Sequence, residues 1–304
     1  MYTLVRSIAG VLLLAQAASA SVVPSTILGR LTGPRSQAMG GTAGALEGDP
    51  TLLWMNPASV ARIGESVAAL EGQRGVLGQG MAQVMLSWHT RTSPGVLSVG
   101  VSVEDIGAAS FMTVEGNMRR VAIQRDYLGA LNYSHGFGSS GGYGVTVKLL
   151  RSQILDQFSA SAIMMDGGVA GKLTDNVRWG AAVQNFGTRL KYMQTASPLP
   201  ASLRCGAAAE YGMSILGGAG DTLTVAIDGL YSINERVGIF SGGGEYSWRG
   251  IGFLRGGVKM DRRRADPGIS CGTGLHFGRY RLDYGITFGD LAGYPQSLGL
   301  SIAF

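Results

Sequence analysis

The residues able to do chemistry in this chain are few, and their spacing argues against most chemistry. Gly268-Ile269-Ser270-Cys271-Gly272 is a literal G-x-S-x-G, the pattern of a serine nucleophile elbow. An elbow needs a strand, a sharp turn and a helix. Here the pentapeptide sits inside an alternating apolar/small run with no helix signal after it. His276 shares a face with Ser270 but lies about 20 Å away along an extended chain at ~3.3 Å per residue, too far to act as its base. Gly136-Phe137-Gly138-Ser139-Ser140-Gly141 is a literal G-x-G-x-x-G. It precedes another strand-like run, so it reads as a hairpin turn and not a dinucleotide site. His89, His135 and His276 are isolated, and no carboxylate pair or metal-ligand cluster is visible. No catalytic residue, metal site or cofactor is expected, and the chain is not read as an enzyme. Cys205 and Cys271 fall on apolar faces of different strands, so a disulfide is not expected between them.

What remains is a set of charges at alternating positions. Arg204, Glu210, Asp228, Glu245, Arg255, Lys259, Arg281 and Asp283 each interrupt a run whose other face is apolar. Tyr280, Leu282, Tyr284, Ile286 and Phe288 share one face, and Arg281, Asp283, Gly285 and Thr287 share the other. This period of two marks strands. The last strand is the clearest: Leu298, Leu300, Ile302 and the terminal Phe304 oppose Ser297, Gly299, Ser301 and Ala303. Runs of this type occupy 82–91, 95–106, 126–137, 143–152, 159–173, 177–186, 202–213, 222–232, 237–248, 251–260, 268–277, 280–288 and 297–304. A further strand is expected at 65–73 or 110–118, which gives an even total of about 14.

Composition points the same way. Glycine is 49 of 304 residues, with no G-x-y period, and charged residues are only 15% at a mean hydropathy of +0.18. No segment after the leader has the ~20 apolar residues a spanning helix needs. Apolarity spread over alternating strands is what a lipid-facing antiparallel β-barrel shows. Arg or Lys at the lipid midplane costs about 2–4 kcal/mol, so the charged faces must line the lumen. There they form a mixed-sign ladder. It serves either as a salt-bridge network that fills the barrel and anchors a plug, the preferred reading, or as a polar permeation or ligand path. The formal charge of +5 is too mild and scattered to imply nucleic acid.

The N-terminus supplies the rest. Residues 1–20 read as a secretory signal peptide: Arg6, an apolar run from Ile8 to Ala15, and an Ala18-Ser19-Ala20 cleavage site. Residues 21–64 show no strand alternation and read as a plug with short helices, with 65–304 as the barrel. Asp49 before Pro50 predicts an N-cap. Arg35 is expected to meet a lumenal carboxylate such as Glu245 or Asp283, Asn56 to bond backbone at the Pro57 turn, and Trp54 to pack on lumenal glycines.

The motif Arg35-x-x-Ala38-Met39-Gly40-Gly41, with Asp49 and Trp54-x-Asn56-Pro57-Ala58, resembles the N-terminal motif of the PorV/PorQ family within the wider FadL-like superfamily. Ala182-Val183-Gln184-Asn185-Phe186-Gly187, Gly244-Glu245-Tyr246-x-Trp248-Arg249-Gly250 and Arg281-Leu282-Asp283-Tyr284 agree, whereas 289–294 depart from the family's usual turn. The resemblance implies a 14-stranded bacterial outer-membrane barrel with an N-terminal hatch. It implies lipid and the barrel-assembly machinery as partners, with Phe304 as part of the assembly signal. It also implies a role in type IX-like protein export or surface attachment, with secreted cargo and other secretion subunits as partners. The alternative it carries is a FadL-like channel for hydrophobic small molecules.

Overall fold

The computed structural model describes residues 27–30, 32–75, 79–89, 95–112, 117–138, 140–192, 195–213, 220–262, 267–289 and 294–304. The expected signal peptide, residues 21–26 and most of the departing turn at 289–294 lie outside them. In chain order the strands are β1 (Val67–Arg74), β2 (Gly80–His89), β3 (Gly95–Asp105), a short pair β4 (Ala108–Met112) and β5 (Met118–Ala122), β6 (Gln124–Phe137), β7 (Gly141–Ile154), β8 (Phe158–Lys172) and β9 (Val177–Gly187). A second short pair, β10 (Leu190–Tyr192) and β11 (Thr195–Ser197), precedes β12 (Ser202–Gly212), β13 (Thr222–Ser232), β14 (Val237–Trp248), β15 (Gly252–Asp261), β16 (Gly268–Phe277), β17 (Tyr280–Phe288) and β18 (Gln296–Ala303). All except the two short pairs close into one antiparallel barrel, in the order β1-β18-β17-β16-β15-β14-β13-β12-β9-β8-β7-β6-β3-β2.

Closure follows from the solvent. In hydrocarbon an unpaired sheet edge leaves backbone polar groups with no partner, so the sheet must join its own ends. β1 meets β18 in antiparallel register from Val67↔Ala303 to Arg74↔Gln296. Beyond that ladder the Phe304 amide donates to the Ser66 carbonyl at 2.8 Å. The Phe304 ring sits edge-on to Trp88, 6.2 Å between centroids. The expected extra strand is β1, from the 65–73 candidate. Of the 110–118 candidate, residues 110–112 and 118 lie in β4 and β5, which pair only with each other, and 113–116 lie outside the described residues.

The alternation sorts the two faces. On β3, Leu97, Val99, Val101 and Val103 are exposed to the lipid side, whereas Ser98, Ser102 and Glu104 are buried inward. Cys205 and Cys271 are free and exposed on the outer face. At one end of the barrel the strands join through tight turns that use Gly138, Gly250 and Gly278 at φ of 60°, 69° and 59°. The opposite end carries the β4–β5 and β10–β11 hairpins. Periplasmic turns are short and external loops longer, so β1 starts and β18 ends on the periplasmic side. An outward apolar band around a closed barrel makes this a bacterial outer-membrane protein.

The lumen is filled by the chain itself. α1 (Ile27–Arg30), α2 (Pro34–Ala38) and two 3-10 helices, Pro50–Trp54 and Pro57–Arg62, lie inside. Asp49 caps the first 3-10 helix, its carboxylate accepting from Thr51 N at 2.9 Å. Asn56 caps the second, Oδ1 accepting from Ala58 N at 3.1 Å. The barrel wall makes room with glycine. A Cβ at Gly100 would stand 2.7 Å from the Trp54 ring. One at Gly144 would overlap Pro57, one at Gly180 the Gly44 carbonyl, one at Gly243 the Met39 carbonyl, and one at Gly257 the Gly40 amide.

Two predictions follow. Gly256 and Gly257 are neighbours on opposite faces of β15, and a Cβ at Gly256 meets only Ser270 O at 4.0 Å. Gly256→Ala should alter stability by no more than about 0.5 kcal/mol. Gly257→Ala should cost ~1–3 kcal/mol by overpacking. Equal midpoints for the two variants in urea titrations of the refolded barrel would show that the inner segment does not press on β15. Phe304→Ala should lower the amount of folded, heat-modifiable barrel in the outer membrane. Wild-type amounts would remove the C-terminal ring from assembly.

Candidate functional site

Polar wall residues meet the inner segment at several places, among them Glu104, which pairs with Arg30 at 2.8 Å, and three described in turn. The first is built on β14, β15 and β17. Arg35 forks onto Glu245, with Nε 2.9 Å from Oε2 and Nη2 2.6 Å from Oε1. Its Nη1 donates to the Glu47 carbonyl at 2.9 Å. Burial opposes the Arg35 charge, yet Glu245 outweighs it and the guanidinium is held above its ordinary range. Glu245 also accepts from Arg255 Nε at 2.6 Å. Arg255 Nη1 lies 2.8 Å from Asp283 Oδ1, and Arg281 Nε donates to Asp283 Oδ2 at 2.8 Å. The signs alternate along the whole chain of contacts. The Phe253 ring lies under both guanidiniums, at 5.3 Å from Arg255 and 4.8 Å from Arg281.

The second place is Asp228 on β13. Its Oδ2 accepts from the backbone amides of Ala43 and Gly44, both at 2.9 Å, and from Arg204 Nη1 at 2.8 Å. Arg204 Nη1 also donates to the Gly41 carbonyl at 3.1 Å. The third is Gln184 on β9, whose Nε2 donates to the Trp54 and Met55 carbonyls at 3.0 and 2.8 Å. Asn56 Nδ2 ties the segment to itself, donating to the Gly44 carbonyl at 2.8 Å. Each of these bonds removes a polar group that would otherwise be stranded away from water.

Of the remaining residues singled out in the sequence, Met39, Gly40 and Gly41 run against β14 and β15. Ser270 Oγ accepts from Gly40 N at 3.0 Å, so the serine of the G-x-S-x-G is one more tie to the inner segment, in mid-strand. His276 is exposed, with Nδ1 3.3 Å from the Gly250 carbonyl. Glu210 pairs with Arg178 at 3.0 Å near the periplasmic rim. Arg178 also faces Glu47, as does Arg62 at 2.9 Å. Burial pushes the Glu47 carboxyl up, and Arg62, Arg178 and Lys172 act against that. Lys259 and Asp261 line two cavities of mixed polarity, about 240 and 290 Å³, beside α1 towards the external end. Among the described residues no His/Cys/Asp/Glu group is arranged to hold a metal.

Three features go beyond the sequence reading. Lys148 on β7 is ion-paired with Asp166 on β8, both almost fully buried. The Thr146-Val147-Lys148-Leu149 alternation carries that signal. A bulge opposes Gln184 and Asn185 to the single residue Asp166, so both consecutive side chains turn inward. Asn185 sits at φ 59°, held by Asp166 Oδ1 accepting its amide at 2.7 Å. Beside the bulge, an apolar groove of about 720 Å³ lies on the outer face of the wall. It is lined by outward-facing Val169, Val183, Leu203, Cys205, Tyr231 and Phe240, and it opens towards lipid.

Removing the inner segment should expose an aqueous path. Deleting residues 21–64 is expected to give a barrel that conducts ions steadily in planar bilayers, while the full-length protein conducts little. Arg35→Ala should conduct in brief openings, since Glu245 keeps Arg255 but releases the segment. Equal conductance from all three proteins would show that the ion pairs do not hold the lumen closed.

No protein-family model matches the chain, and no curated protein is detectably similar in sequence. Solved structures are. The toluene transporter TbuX of Ralstonia pickettii superposes with a TM-score of 0.64 at 14% identity, over 90% of this chain and 98% of that one. The toluene transporter TodX of Pseudomonas putida gives 0.65 at 15% identity, with the same coverage. A Pseudomonas aeruginosa FadL homologue gives 0.54 at 12% identity, covering 89% of this chain and 97% of its own. These likenesses are of fold, shared with a FadL homologue, and they do not reach PorV/PorQ. The chain has the fold of the FadL-like 14-stranded outer-membrane barrels.

Proposed function

We propose that this protein is an outer-membrane channel for small apolar molecules. The observation that carries the reading is the apolar groove of about 720 Å³ on the outer face of the wall between β8 and β14. Its volume is in the range of small-molecule sites, about 300–1,000 Å³. Its lining is apolar, and it lies against the barrel beside a bulge. A pore for ions or sugars has no use for such a groove, whereas an apolar solute partitions from water onto an apolar surface that faces the bilayer. Two of the similar structures are toluene transporters, which supports the same class of solute. The lumen supports it too: Leu128, Leu150, Ala160, Ala162 and Met164 of β6 to β8 join one buried apolar cluster, bordered by Asp126 and the Lys148–Asp166 pair. The type IX-like export role implied by the PorV/PorQ resemblance finds no comparable support in this geometry.

The test is uptake of radiolabelled toluene by cells that express the protein. On the groove floor, Gly229 pairs with Cys205, and a Cβ there would stand 3.8 Å from Cys205 Sγ and 3.9 Å from Phe240. Gly229→Leu therefore fits the wall and fills the groove. Expression of the wild type should raise toluene uptake, and Gly229→Leu should return it towards the level of cells without the protein while the barrel stays folded. Wild-type cells that take up toluene no faster than cells lacking the protein would overturn the channel reading.

A further inference from the structure

We infer that the outer face of the barrel carries a binding site for the phosphate groups of an acylated glycolipid, at the external ends of β6, β7 and β8. The inference does not rest on the channel reading. Register defines the site. Leu149 lies outward on β7, paired with Gly129 of β6 and Ile163 of β8. Two residues farther out, Arg151 pairs with Tyr127 and Ser161. Two residues beyond that, Gln153 pairs with Arg125 and Ser159. An apolar row therefore gives way, about 7 Å along the strands, to two rows of hydrogen-bond donors. Tyr127, Arg151, Ser159 and Ser161 are all exposed. On the membrane side of Leu149, Val147 pairs with Leu131 and Met165, and all three face lipid.

The charges at this place suit an anion. Arg125 Nε donates to Asp105 Oδ2 at 3.0 Å, and its Nη1 lies 3.6 Å from Asp156 Oδ1. Both carboxylates are also committed to backbone. Asp105 Oδ1 accepts from Gly107 N at 2.7 Å, and Asp156 Oδ2 accepts from Ala122 N at 3.1 Å. They root the β4–β5 hairpin and hold Arg125 in place. Arg151 has no carboxylate partner among the described residues, and neither have Arg119 and Arg120, which are exposed on β5. An arginine fork meets phosphate oxygens with two parallel bonds. Tyrosine belongs at the level where headgroups begin. The periplasmic ends of the same strands differ: Phe137, His135 and Tyr143 gather there as rings, and both arginines of β6 to β8 stand at the other end. The donors spread over two rows and three strands about 4.8 Å apart, a patch wider than one phosphate. A glycolipid with more than one phosphate fills it, and its acyl chains lie along the apolar rows beneath. Free phosphate has no use for those rows, and an acidic soluble protein does not reach them.

The test is native mass spectrometry of the purified full-length protein in a neutral detergent, with bisphosphorylated lipid A as the probe. The wild type should bind it roughly tenfold more tightly than lipid A stripped of phosphate, and roughly tenfold more tightly than phosphatidylglycerol. Arg151→Gln should remove most of that preference. Ser161→Asp, which sets a carboxylate beside Arg151, should do the same. Arg236→Gln, exposed in the β13–β14 turn at the same end but off the patch, should leave it unchanged. Heat-modifiability checks that each variant is a folded barrel. Excess inorganic phosphate should not displace the lipid. Equal binding of the phosphorylated and stripped lipids refutes the site. So does an Arg236→Gln loss as large as that of Arg151→Gln, which would mark diffuse charge attraction. Phosphatidylglycerol binding as tightly as lipid A, or displacement by inorganic phosphate, refutes the glycolipid as its occupant.

Discussion

Backbone against backbone at Met39 and Gly40 is the contact on which the rest of this structure depends. There the inner segment touches β14 and β15 with nothing larger than hydrogen between them, at Gly243 and Gly257. A barrel of this strand number has an interior too wide to be filled by short side chains from the wall. A folded segment fills it, but a folded segment brings its own backbone polar groups out of water. The wall must then be close and must bear donors and acceptors. Glycine supplies the closeness at Gly100, Gly144 and Gly180. Asp228, Gln184 and Ser270 supply the partners, each bonding to main chain of the segment. Composition and polar patterning are thus two sides of one packing problem.

The ion-pair chain from Arg35 to Arg281 belongs to the same problem and is not itself strong evidence of stability. A buried pair roughly breaks even against an apolar replacement, but removal of one member strands the other. What such a chain does well is fix position. Arg35 has a planar fork that meets both oxygens of Glu245, and Glu245 is shared with Arg255. The segment therefore has one seat along the barrel axis, and its glycine contacts follow from that seat.

The barrel was legible in the sequence because its signal is local. Each strand states its two faces in consecutive residues, so boundaries such as 222–232 and 280–288 coincide with β13 and β17. What was not legible breaks that period. β10 and β11 are three residues each, too short to show any alternation. Residues 110–118 alternate weakly and competed with 65–73 for the remaining barrel strand, since a two-stranded external hairpin has the same pattern as a barrel edge. The bulge left only a faint trace, the adjacent polar pair Gln184-Asn185 where alternation asks for one polar residue. At the site, the sequence could narrow the partner of Arg35 to a lumenal carboxylate. The choice of Glu245 over Asp283 depends on register across three strands, a long-range property. The first half of the lumenal ladder, with Lys148 and Asp166, was legible by the same rule and is masked only by its apolar neighbours.

The two halves of the lumen then divide the work. β12 to β17, with Glu104 on β3 and Arg178 on β9, present charges that seat the inner segment, and β6 to β8 present an apolar patch beside the Lys148–Asp166 pair, against which the segment and the β10–β11 hairpin pack. A uniformly charged lumen would hold the segment but offer an apolar solute nothing. A uniformly apolar one would leave the segment's carbonyls without donors. Gln184 and Asn185 stand at the border between the halves, and the bulge is what lets neighbouring residues serve both. A regular strand would send one of the two into lipid, and the lumen would lose either its grip on Trp54 and Met55 or its tie to the hairpin at Pro200. The irregularity in β9 is therefore the point at which holding the barrel shut and covering its apolar wall become one structural arrangement.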